Sequence, residues 1–236
     1  MNKPRIGITM RLELESRRFY LGRDYSEALQ TLGAIPIHIS LIPDSEYIAD
    51  CLSGLDGILL PGSDTDVDPH RFDEEPHPKL KKIIFEKDET DALVIKEAER
   101  LGLPILAICF GMQALNVFRG GSLFQDIESQ IPSCLQHEQG IPFERNSHSI
   151  EVEQNSTISR LITNENTRVN SHHHQSVKKV GDNLKAMAWA KDGVIECIED
   201  IRENYFALGV QWHPELNWKT DELSRKIFET FIEECK

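Results

Sequence analysis

The chain lacks most of what a membrane, nucleic-acid or disulfide-scaffold protein depends on. No apolar stretch in its 236 residues approaches the ~20 needed to cross a bilayer. The polar N-terminus runs into a strand pattern without the apolar segment of a signal peptide. Basic residues are too few for a phosphate or anionic-lipid surface: 26 Lys and Arg stand against 39 Asp and Glu, a net charge of −13. That balance argues against nucleic-acid and membrane partners. Cysteine is scarce and unpatterned. The five cysteines, Cys51, Cys109, Cys134, Cys197 and Cys235, form no CxxC pair and no even set of spacings. Neither a disulfide framework nor a zinc ribbon is expected, and reduced thiols are. Internal repeats, low-complexity tracts and linkers are missing too, so residues 1–236 read as a single domain. These absences point to a cytoplasmic protein that handles a small molecule.

What is present is an alternation. Arg5 to Met10 reads as a strand, Asp24 to Leu32 as a helix ended by Gly33, and Ile35 to Ile39 as a second strand. Ile48 to Leu52 has helical character, and Gly57 to Leu60 is an apolar strand stopped by Pro61-Gly62. Phe85 to Leu101 is a charged amphipathic helix closed by Gly102 and Pro104. The pattern predicts an α/β fold of three layers, a mostly parallel central sheet flanked by helices. Beyond Gly120-Gly121 the runs shorten, at Ser149 to Val152, Arg168 to Asn170, Leu184 to Trp189, Gly193 to Ile198 and Phe206 to Gln211. Mixed or antiparallel strands are expected there. A last helix, Asp221 to Glu234, carries Leu223, Ile227, Phe228, Phe231 and Ile232 on one face.

Two segments carry chemistry. Leu103 to Asn116 reads as strand, tight turn and helix, with Cys109 at the turn. A thiol at a helix N-terminus meets unpaired N–H groups and the positive end of the macrodipole, which favour the thiolate. Gly111 lets the chain turn sharply. The other cysteines are read as small buried hydrophobes. The second segment, Gly209 to Glu215, sets His213 and Glu215 two positions apart. In an extended strand such residues share a face, and Pro214 biases His213 toward extended backbone. Cys109 as nucleophile, His213 as general base and acid, and Glu215 behind the imidazole make a hydrolase. Ligand sites of open α/β sheets gather at the carboxyl ends of strands, where Gly62 and Cys109 fall. The charged segment 64–82 is expected to form a long loop near that site.

The turn at Cys109, the Gly-Val-Gln-Trp-His-Pro-Glu segment, and Leu59 to Ser63 followed by Asp66-Val67-Asp68-Pro69 resemble the class I glutamine amidotransferase superfamily. Val169 to Gln175 and Gly120 to Leu123 resemble its gamma-glutamyl hydrolase branch, the gamma-glutamyl-GABA hydrolases above all. The resemblance runs in order from about Ile6 to the C-terminal helix. It implies a flavodoxin-like sheet and hydrolysis of a gamma-glutamyl amide, such as gamma-glutamyl-GABA, through a cysteine thioester. It implies an oxyanion hole from the backbone N–H groups of Ser63 and Phe110. Substrate contacts are implied for Gly62, Gln113, Ser171, His173 and His174. No cofactor and no metal are implied, the partner being a small gamma-glutamyl compound, with a homodimer as one option. A second reading uses the same triad in a glutaminase subunit that delivers ammonia to a synthase partner. Two positions depart from the common pattern: Ser63 replaces a glycine, and Phe110 stands where the branch often has arginine. Loss of that cation favours a more apolar or cationic leaving group.

Other features carry plainer readings. Adjacent histidines of an extended segment point to alternate sides, so His172 to His174 do not readily share one ion. Asp64, Asp66 and Asp68 lack the glycine and closing glutamate of a calcium loop. Gly120-Gly121 lacks phosphate-loop spacing. Glu13, Glu15, Arg17 and Arg18 read as an exposed loop, with Phe19 and Tyr20 packing near the mouth of the site.

Overall fold

The apolar runs Gly57–Leu60 and Ile105–Ile108 become strands with every residue buried, as strands covered on both faces must be. The structure is a computed structural model describing residues 2–164 and 166–236. Its N-terminal half contains β1 (Arg5–Thr9), β2 (Arg11–Glu13), β3 (Arg18–Tyr20), α1 (Arg23–Thr31), β4 (Ile35–Ile39), α2 (Ser45–Leu52) and β5 (Gly57–Leu60). After a long loop follow α3 (Phe85–Leu101), β6 (Ile105–Ile108), α4 (Phe110–Phe118), β7 (Ser122–Phe124) and α5 (Ile127–Gln130). The remainder holds β8 (His148–Val152), α6 (Thr157–Leu161), β9 (Arg168–Val169), β10 (Ser176–Lys179), β11 (Leu184–Ala190), β12 (Ile195–Asp200), β13 (Ala207–Val210) and α7 (Glu222–Glu234).

The central sheet has the order β4-β1-β5-β6-β13-β12-β11-β8-β9. From β4 to β13 the neighbours run parallel, and from β13 to β9 they pair antiparallel. Alternation along the strands splits the core between two faces. Ile6, Ile8, Leu59, Leu106 and Val210 pack with Tyr25 and Leu29 of α1 and Ile227, Phe228 and Phe231 of α7. Ile58, Leu60, Ile105 and Ala107 face the other way, onto Ile48 and Leu52 of α2, Val94 and Ile95 of α3, and Met112 and Leu115 of α4. The three-layer α/β expectation is met. Each fully buried side chain of this size contributes about 1.5–3 kcal/mol.

Three local differences have physical causes. The stretch expected as a loop at 13–20 forms the hairpin β2–β3, in which Glu13 pairs across from Arg18, a favourable opposite-charge pair. Helix α2 starts earlier than the apolar pattern implies, because the Asp44 side chain accepts from the Tyr47 N–H and caps it. The chain after β13 does not stay extended. It stops at Val210 and closes a 3-10 turn at Pro214–Leu216.

Candidate active site

Cys109 follows β6 and caps α4 with φ 52° and ψ −107°, a combination that costs a side-chain-bearing residue on the order of 1–3 kcal/mol. The surroundings impose it. The Cys109 N–H donates to Val210 O at 2.8 Å, which ties the turn to β13. On the far side α4 lies directly on β5, where a Cβ at Gly111 would collide with Leu60 O. Only glycine allows that approach. The result is a strained strand-to-helix elbow whose cysteine is 4 % exposed.

His213 is fixed at backbone and ring. Its N–H donates to Asn170 Oδ1 at 2.8 Å, and Asn170 Nδ2 donates to His213 O at 2.8 Å. Its Nδ1 pairs with Glu215 Oε1 at 2.6 Å. The expected juxtaposition occurs, but not by strand alternation. Pro214 occupies the first position of the 3-10 turn, where its fixed φ suits the helix and its missing N–H is no loss. The turn, rather than a pleat, brings the carboxylate under the imidazole.

A Cβ on Gly62 would lie 2.8 Å from His213 Cε1, 3.0 Å from the Tyr25 hydroxyl and 3.5 Å from Cys109 Cβ. Imidazole, phenol and thiol therefore converge on the space that this glycine leaves. The Gly62 N–H donates to the Tyr25 hydroxyl at 3.1 Å, and the Gly62 carbonyl accepts from Arg11 Nε at 2.6 Å. Burial works against a charged His213, but the negative charges of Glu215 and Cys109 outweigh it and push the imidazole pKa up to about 10. For Glu215, burial is likewise overcome by the His213 charge, and its pKa lies below the usual carboxylate range. The pair is stabilised as an ion pair. Arg11 and Tyr25 had no local signature, since each reaches the site from a distant element.

Above the thiol lies a cavity of about 190 Å³ bordered by Ser63, Asp66, Lys81, Cys109, Gln113 and His172, among others. Ser63 and Phe110 border it too, and among the described residues neither N–H is paired with an acceptor. The Phe110 ring is 1 % exposed and packs in the core with Lys87 Nζ 5.2 Å from its centroid. The position therefore carries no cation into the cavity, as expected from the replacement of arginine by phenylalanine. Gln113 borders the cavity, but its Nε2 donates to Gln175 O at 3.0 Å and Gln211 Oε1 at 3.1 Å, leaving only its carbonyl oxygen uncommitted.

The histidine run diverges, as adjacent extended residues should. His172 lines the cavity, donates from Nε2–H to Phe143 O at 2.9 Å, and meets the His213 ring edge-on at 5.8 Å. Sequence reasoning passed over it in favour of its neighbours. His173 borders the cavity, yet both ring nitrogens face protein: Nδ1 pairs with Gln175 O at 2.9 Å and Nε2 points toward Glu196. His174 pairs with Asp66 Oδ1 at 2.7 Å. Ser171 lies behind the wall, with Oγ donating to His137 O at 2.9 Å and N–H to Gln139 Oε1 at 2.8 Å. The geometry thus turns Ser171 and the His173 nitrogens away from the substrate side expected of them. Of the aspartates expected to be solvated, Asp66 is 4 % exposed and Asp64 accepts from the Tyr20 hydroxyl at 2.6 Å.

Residues 4–215 match the Peptidase C26 family. The gamma-glutamyl-gamma-aminobutyrate hydrolase PuuD of Escherichia coli K12 is 36 % identical, with 100 % of this chain and 95 % of that protein covered. YvdE of Lactococcus lactis, provisionally named a glutamine amidotransferase-like protein, is 40 % identical over 90 % of this chain and 87 % of its own. Among solved structures, a Thermoplasma acidophilum protein provisionally named as one of the subunits of GMP synthase superposes with TM-score 0.68 at 18 % identity, covering 100 % of this chain and 95 % of that one. That likeness bears on the fold alone. The chain is a member of the Peptidase C26 family, with the fold of the class I glutamine amidotransferases.

Proposed function

We propose that the protein hydrolyses the gamma-glutamyl amide bond of a small gamma-glutamyl compound through a thioester on Cys109. The observation that carries this reading is the 2.6 Å His213–Glu215 pair set against a thiol on a strained strand-to-helix turn. Cys109 Sγ, its proton passed to His213, attacks the gamma-carbonyl carbon, forming a C–S bond. The tetrahedral oxyanion takes hydrogen bonds from the Ser63 and Phe110 N–H groups, each worth on the order of 3 kcal/mol. As the C–N bond breaks, His213 gives its proton to the leaving amine. A water then attacks the thioester as His213 removes its proton, the C–S bond breaks to release glutamate, and that proton returns to Cys109 Sγ. Glu215 holds the imidazole and its charge throughout.

The cavity supports a small substrate. At about 190 Å³ it falls below the roughly 300–1,000 Å³ of pockets for drug-sized ligands, which suits one glutamyl group better than a length of polypeptide. Asp64, Asp66 and Glu138 stand on its wall with Lys81, so both charges of an α-amino acid can find a counterpart. Gamma-glutamyl-GABA is the first candidate, since PuuD carries that substrate in its name. We read residues 1–236 as one domain acting in the cytoplasm, where a free thiol persists.

The test is glutamate release from gamma-glutamyl-GABA, other gamma-glutamyl amines, gamma-glutamyl dipeptides and glutamine, with native protein and Cys109→Ala. Turnover of a gamma-glutamyl amine that Cys109→Ala lacks is expected. Activity on glutamine alone, rising with an added synthase, would replace this reading with ammonia delivery.

A further inference from the structure

Behind the cavity wall lies a second cluster of chemistry-bearing side chains that the proposed reaction does not use. Glu196 on β12 is 0 % exposed and has no cationic Lys or Arg partner among the described residues. Three imidazoles surround its Oε1 instead: His137 Nδ1 at 3.4 Å, His148 Nε2 at 3.3 Å and His173 Nε2 at 3.7 Å. His148 Nε2, His173 Nε2 and both Glu196 oxygens are buried and make no hydrogen bond. Buried polar atoms left so are costly, about 1–3 kcal/mol each, and four of them gathered in one cluster call for an occupant.

The other nitrogen of each ring is committed. His137 Nε2 pairs with Asp192 Oδ2 at 2.9 Å, His173 Nδ1 with Gln175 O at 2.9 Å, and His148 Nδ1 faces Ser149 O at 3.3 Å. Metal-binding histidines are held in this way, one nitrogen on a carboxylate or carbonyl and the other on the ion. Separations agree as well. Tetrahedral zinc with bonds of about 2.0–2.1 Å places its ligand atoms roughly 3.3 Å apart, and the three nitrogens stand within a few tenths of that from Glu196 Oε1. The ligating atoms of His137, His148 and Glu196 all fall within 4.8 Å of one another. A hydrogen-bond network accounts for the cluster less well, because one carboxylate oxygen cannot satisfy three rings at these distances.

We propose that His137, His148, His173 and Glu196 form a structural site for a divalent transition-metal ion, zinc first. Imidazole and carboxylate donors without thiolate suit zinc and exclude a calcium or magnesium cage. His137, His148 and Glu196 form the core of the site and His173 Nε2, 3.7 Å from Glu196 Oε1, completes it; four protein ligands would close the coordination sphere, so the ion would hold structure and take no substrate. It joins segments far apart in sequence: the loop before β8, β8, the loop after β9, and β12. His173 borders the reaction cavity, and the Ser171 hydroxyl donates to His137 O. The ion thereby pins the cavity's back wall. The inference stands apart from the proposed reaction, since its readouts are metal content and stability.

The experiment is elemental analysis of the untagged full-length protein, followed by thermal melting after chelation and after zinc return. About one zinc per chain is expected, with melting lowered by several degrees on chelation and restored by zinc. Cobalt substitution should give the visible absorption of a tetrahedral nitrogen and oxygen site. Cys109→Ala should keep the metal, whereas His148→Asn and Glu196→Gln should lose it. Should those variants fail to fold, the native protein still decides. Less than a tenth of an equivalent of metal in native protein, with no thermal shift on added zinc or cobalt, overturns the proposal. So does metal lost in Cys109→Ala and retained in His148→Asn.

Discussion

Gly62→Ala isolates the placement of the imidazole without touching a reacting atom. The added Cβ would stand 2.8 Å from His213 Cε1 and 3.0 Å from the Tyr25 hydroxyl. Ordinary carbon contacts begin near 3.5 Å, so something must move by roughly 0.7 Å. His213 has little freedom to yield, being held by two 2.8 Å bonds to Asn170 and by Glu215 at 2.6 Å. Tyr25 is 2 % exposed within the core. The strain therefore passes into the ring's aim at Cys109 or into the backbone that carries the Ser63 N–H. A misplacement approaching 1 Å costs up to about 100-fold in rate, and overpacking costs about 1–3 kcal/mol of stability. The assay is steady-state glutamate release beside a denaturant melt. A fall in kcat of about 10- to 100-fold is expected, with the protein still folded. A kcat within about threefold of native, read as a free-energy difference, would refute the reasoning.

Cys109→Gly should be inactive yet more stable than Cys109→Ala by about 1 kcal/mol, because glycine accepts the turn's positive φ freely; equal denaturation midpoints would contradict this. Asn170→Ala strips the buried N–H and C=O of His213 of their partners, which should cost about 2–4 kcal/mol and lower kcat; a melt unchanged from native would count against it. The third concerns pH. The folded-state pKa of His213, about 10, exceeds its ordinary 6.5, so the stability it contributes is complete below pH 6.5 and lost as pH rises through about 10. The stability gap between native protein and Glu215→Gln should therefore narrow across that range, and a gap that widens would contradict the ion pair.

The turn at Cys109 was legible because each of its requirements is local: an apolar strand, a small residue two places on, and a helix that starts at once. Leu60 O, the atom that makes Gly111 obligatory, was not, since it belongs to a strand far away in sequence. The His213–Glu215 pairing was legible as spacing but not as geometry, because Pro214 favours the opening of a turn as readily as an extended neighbour. Arg11, Tyr25 and Asn170 act through long-range contacts that leave no local pattern. The same holds for the buried histidines. A run of three drew attention to itself, while the residues gathered around Glu196 are His137, His148 and only the middle member, His173. The parallel strands were the plainest part of the fold, because burial on both faces leaves uninterrupted apolar runs.

The most direct measurement is rapid quench of the native protein during turnover of a gamma-glutamyl amide, followed by mass mapping of the digested chain. The account predicts one glutamyl group, labile to hydroxylamine, on the peptide bearing Cys109, and none in Cys109→Ala. A glutamyl adduct on another residue, or undiminished turnover by Cys109→Ala, would contradict it.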